Sequence, residues 1–84
     1  MSRDVTSRAH RIRLERDTTM LLPDGEEITV TVLDISDSGF KIRCPEAVFV
    51  GEEVQLKLGR SGYVNATIRW IKGSEAGGSF LAAL

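Results

Sequence analysis

EITVTVLDISDSGFKIRC, residues 27–44, is the stretch on which the fold turns. Within it Ile28, Val30 and Val32 fall on one side of an extended chain, and Thr29, Thr31 and Leu33 fall on the other. After the break DSG (37–39) the alternation resumes, with Phe40, Ile42 and Cys44 facing inward and Lys41 and Arg43 outward. A period of two marks a half-buried strand, and two such runs around a short Gly-containing break mark a hairpin. Upstream, RIRLERDTTMLL (11–22) sets Ile12 and Leu14 against Arg11, Arg13 and Glu15, and PDGE (23–26) is a turn with Pro23 at its entry and Gly25 free to take a positive φ. Downstream, VQLKL (54–58), YVNATIRWIK (63–72) and SFLAAL (79–84) read as three more strands. The loop PEAVFVGEE (45–53), the turn GRSG (59–62) and the Gly-rich turn GSEAGG (73–78) separate them. Val64, Ala66, Ile68 and Trp70 share one face of the longest run, so Trp70 is expected in the core, as is the Cys44 thiol.

No segment carries an i, i+3, i+4 apolar stripe long enough for a helix. Six short strands are best protected by closing on themselves, because open sheet edges invite aggregation. The expectation is therefore an all-β chain: a six-stranded antiparallel β-barrel over residues 11–84, preceded by a flexible Arg-rich N-terminal arm over residues 1–10. The 84 residues suffice for one domain, and 42% hydrophobic content suffices for a small core.

The single cysteine rules out an internal disulfide, and with one histidine it cannot build a Cys/His zinc site. MSRDVTSRAHR lacks the apolar core of a secretory signal, and no run approaches a membrane span, so a cytoplasmic chain without membrane insertion is expected. A formal net charge of −1 argues against binding DNA or RNA through bulk charge. That figure conceals an asymmetry. Residues 1–16 hold five arginines against Asp4 and Glu15, a balance of +3, whereas residues 17–84 carry −4. Arginine presents a planar fork suited to phosphates and to flat rings.

The chemistry is concentrated in DISDSG, a D-x-S-x-x-G pattern formed by Asp34, Ser36 and Gly39. Asp34 and Ser36, two apart, leave the strand on the same face. Gly39 permits a sharp turn or the close approach of another molecule. Taken alone, the pattern also fits an ordinary Asp/Ser-capped turn. His10 has no nucleophile partner, Asp34 with a neighbouring Glu makes no acid/base pair without a substrate pocket, and no enzyme is read here.

Four features in order, SRAHRIRL (7–14), DISDSGF (34–40), GEEVQLKL (51–58) and IRWIKGSEAGGSF (68–80), make this chain resemble the PilZ domain family over nearly its whole length. The resemblance implies a six-stranded β-barrel that acts as a bacterial receptor for the second messenger cyclic di-GMP. In that family the ligand is read by R-x-x-x-R in the arm and D/N-x-S-x-x-G in the sheet. Carried over residue by residue, it implies Arg8, Arg11, Asp34, Ser36 and Gly39 as the cyclic di-GMP site, with no metal and no cofactor besides the ligand. An arginine fork spans guanine O6 and N7 or grips a phosphate, and a carboxylate accepts from guanine's opposite edge.

The arm departs from the family pattern. With Arg11 as the second arginine, Ser7 stands where the first belongs, and Arg8 is its neighbour. One lost charge-assisted contact is worth about 1.5–3 kcal/mol, roughly tenfold to a hundredfold in affinity. The alternative reading is accordingly a ligand-free PilZ-like adaptor acting on a protein partner. Val48, Phe49 and Val50 are its candidate surface, although a plug at the barrel end is the other expectation for them.

Overall fold

Six strands follow one another along the chain: β1 (Ile12–Leu21), β2 (Glu27–Ile35), β3 (Gly39–Arg43), β4 (Glu53–Lys57), β5 (Tyr63–Lys72) and β6 (Glu75–Phe80). A three-residue 3-10 turn (Gly59–Ser61) lies between β4 and β5. The computed structural model describes residues 12–81, excluding the side chains of Ile12, Arg13 and Ser61. The arm with Arg8, the following Arg11 and the last three residues lie outside the described residues.

All pairings are antiparallel, and the strands close in the order β1-β2-β3-β6-β5-β4. The closing seam, β4 on β1, is short, pairing Met20 with Leu56 and Leu21 with Gln55, with the Thr18 hydroxyl donating to the Lys57 carbonyl at 2.8 Å. The six-stranded antiparallel barrel expected from the alternation is the fold observed.

Inward positions of every strand meet in one core around Met20, Val30, Ile42, Leu56 and Ile68, with Phe40 and Phe80 rings tilted against each other at 5.4 Å between centroids. The turn after β1 takes the expected form, with Gly25 at φ +90°. Cys44 is buried as expected, and its thiol donates to the Glu46 carbonyl at 3.2 Å. Val48 also enters the core, but Phe49 and Val50 stand 65% and 63% exposed, so the loop after Pro45 divides between plug and surface.

Two expectations are corrected. The last strand is Glu75–Phe80 rather than 79–84, and Gly77 and Gly78, read as turn residues, lie inside it. They are glycines because of contact rather than turning. A side chain at Gly77 would collide with the Trp70 indole, and one at Gly78 with the Thr67 carbonyl and the Phe40 ring. The turn itself shrinks to Gly73 and Ser74, with a positive φ of +61° at Gly73. Trp70, expected in the core, instead lies on the outside at 39% exposure.

Candidate functional site

The outward position of Trp70 has a register cause. Ile68 pairs with Gly78, yet Trp70 pairs with Gly77, so Arg69 is an extra residue in β5. Such a bulge shifts the side-chain phase by one and sends the next residue to the other face. The same device recurs in β2, where Val32 pairs with Ile42 and Asp34 with Lys41, leaving Leu33 as the extra residue. Residues directly opposite in an antiparallel pair share a face. Lys41 lies between the buried Phe40 and Ile42, so it faces out, and Asp34 faces out with it. A third irregularity, between Arg13 and Arg16 of β1, sits across from Leu33; there Leu14 packs against the core and Glu15 is exposed, on the opposite faces expected of them, and both border the same cleft.

The consequence is one outward row across four strands: Asp34 of β2, Lys41 of β3, Gly77 of β6 and Trp70 of β5. At the usual strand spacing it spans about 14 Å. The middle of the row is low, because Gly77 contributes no side chain and the indole lies across it. Arg13 extends the row onto β1 by its backbone pairing with Asp34. The chain therefore enters the barrel beside Asp34, and Arg11 is the residue immediately before Ile12.

At one end of the row a cleft of about 430 Å³ opens, lined by Leu14, Glu15, Leu33, Asp34, Lys41, Arg43 and Glu75. Asp34 is only 7% exposed, yet it is one of the residues that line this cleft. Three carboxylates face two cations here, a net charge of −1 among the described residues. Lys41 Nζ lies 3.9 Å from Glu75 Oε1.

Ser36 and Gly39 form the adjoining corner. The Gly39 N–H donates to Ser36 Oγ at 3.2 Å, and the Ser36 N–H donates to the Gly39 carbonyl at 2.9 Å. Asp37 and Ser38 are thereby held as the tip between β2 and β3. A Cβ at Gly39 would lie 2.5 Å from the Gly78 carbonyl oxygen, so the close approach made there is by β6. The structure brings Asp34, Ser36 and Gly39 together on one outer corner. Arg8 and Arg11 fall outside the described residues.

Sequence alternation missed Glu75 and Trp70 as neighbours of this corner. Glu75 lies in a stretch whose local composition is that of a turn, and only the Arg69 bulge brings Trp70 outside.

Among the described residues no group of three or more His, Cys, Asp or Glu side chains could hold a metal, and no helix is long and apolar enough to cross a membrane. No curated protein matches the chain. The family model of the PilZ domain matches residues 6–83, from the arm through the last strand. The chain belongs to the PilZ domain family.

Proposed function

We propose that this PilZ domain is a receptor module for cyclic di-GMP in the bacterial cytoplasm, and that it relays occupancy by setting its N-terminal arm against the barrel. Membership in a family of binding modules supports a non-enzymatic role. The observation that carries the reading is the outward aim of Asp34 beside the point where the Arg-rich arm joins β1.

Each part has a chemical task. The Asp34 carboxylate accepts from the N–H groups on guanine's Watson–Crick edge. Arg11, with Arg8 in place of the missing arginine at Ser7, brings guanidinium forks to guanine O6 and N7 or to a phosphate. Ser36 and Gly39 hold the corner in shape, and the Ser36 hydroxyl keeps one further lone pair for the ligand. With a net −1 among the described residues of its walls, the cleft draws on the cations of the arm to hold a doubly anionic dinucleotide. Binding and arm placement are thus one event, which is the basis of the relay. Neither DNA, RNA nor membrane insertion forms part of this reading.

Calorimetric titration with cyclic di-GMP tests it. Heat is expected from the unaltered chain and is expected to vanish for Asp34→Ala and Arg11→Ala. Hydrogen exchange with and without ligand is expected to slow within residues 1–11. An absence of heat at millimolar ligand overturns the receptor reading and favours the adaptor, for which the exposed Phe49 and Val50 are the specific observation.

A further inference from the structure

Lys41 and Arg43 occupy successive outward positions of β3, about 7 Å apart along the strand, and both line the cleft. Glu75 of β6 is their common neighbour. It pairs directly with Arg43 in the β3–β6 register and lies diagonal to Lys41, with the 3.9 Å contact between their charged ends. From its other side it pairs with Lys72 of β5. The Lys41 and Glu75 side chains are 36% and 39% exposed, so the pair is solvated, loosely held and open to displacement.

We propose that Lys41 and Arg43 are phosphate-holding residues of the cleft, and that Glu75 is a built-in counter-ion which an anionic ligand displaces on entry. The inference deepens the cyclic di-GMP reading and rests on it. A phosphate entering between Lys41 and Arg43 meets the Glu75 carboxylate, which contacts Lys41 and stands directly across from Arg43. The two like charges cannot share the site, so the carboxylate swings toward Lys72, its cross-strand neighbour. Glu75 thereby sets the affinity below what the cations alone would give. It also selects against weakly charged competitors, which bring too little charge to displace it.

The test is titration of the full chain with cyclic di-GMP at low and moderate salt, with thermal melts to confirm folding. Glu75→Gln is expected to tighten binding by about threefold to tenfold, the scale of one partly solvated charge interaction. Lys41→Gln is expected to weaken it by about tenfold and to flatten its salt dependence. Glu53→Gln, an equal change in net charge at a position not lining this cleft, is the control and is expected to shift affinity less than about twofold. Wild-type binding that Glu75→Gln leaves unchanged, weakens, or shifts no more than Glu53→Gln overturns the counter-ion role while the receptor reading stands. Heat from neither wild type nor Glu75→Gln overturns both.

Discussion

Asp34 of β2 lies directly across from Lys41 of β3, although unbroken alternation through Val30 and Val32 would carry it into the core. Leu33 is the residue that makes the difference: one position in excess of β3, it turns an interior carboxylate into a cleft carboxylate. The equivalent excess at Arg69 does the same for Trp70, three strands away on the same row. Both bulges flank the β3–β6 pair, whose register is unbroken from Gly39 to Arg43.

Gly39→Ala is expected to destabilise the barrel by about 1–3 kcal/mol, because the new methyl meets backbone that cannot move without parting β3 from β6. For a domain of this size that lowers Tm by roughly 4–8 °C per kcal/mol. Urea unfolding checks it. Unchanged stability would mean that this glycine is required for something other than the approach of Gly78.

Ser36→Ala removes the acceptor for the Gly39 N–H and is expected to cost about 0.5–1.5 kcal/mol. Its effect on ligand affinity is expected to be smaller than that of Asp34→Ala, since the hydroxyl is already engaged in the turn. Parallel melts and titrations of the two variants separate the contributions. A larger affinity loss for Ser36→Ala would assign the hydroxyl mainly to the ligand.

Trp70 is the only tryptophan, so its fluorescence reports on the row alone. Its indole covers the backbone of Gly77, and Trp70→Ala is expected to cost about 1–2 kcal/mol by uncovering it. Ligand in the proposed site is expected to change the wild-type emission, and Asp34→Ala is expected to remove that change. Emission that stays constant during calorimetrically detected binding would place the ligand away from this end of the row.

Burial pushes the Cys44 thiol pKa above its ordinary value, and the carboxylates of Glu46 and Glu52 add to this, against the lowering effect of a hydrogen bond with the Glu46 backbone. The folded state therefore holds the thiol proton more firmly than the unfolded chain. This contribution to stability is complete below the unfolded pKa and is lost as pH rises through the folded value. Alkylation by iodoacetamide at pH 8 is expected to be slow in the native state and to accelerate across the urea transition. Rapid native labelling would show the thiol to be accessible.

Phe49 and Val50 are exposed where their neighbour Val48 is buried, and substitution is expected to show it. Phe49→Ser should stay within about 0.5 kcal/mol of wild type, whereas Val48→Ala should cost about 1–3 kcal/mol. Chemical denaturation of both variants decides whether this loop closes the barrel with one residue, as the structure has it, or with three.

The sequence by itself determined the strand order in the chain, the faces of β2 and β3, the turn at Gly25, the buried thiol and the acid–hydroxyl–glycine corner. Each of these follows from local chemistry: period-two alternation and a turn glycine. The tertiary structure alone decided which way Asp34 and Trp70 face, and why Gly77 and Gly78 are glycines. A bulge is an excess of one residue relative to a partner strand, so it exists only once two strands are paired and is invisible in either one alone. The Gly-Gly pair is equally non-local, because its small size answers to Trp70, Thr67 and Phe40 approaching from neighbouring strands, while its local appearance is that of a turn. Glu75 joined the cleft for the same reason: the turn before β6 is two residues long, and pairing with Arg43 brings its carboxylate beside the cations of β3.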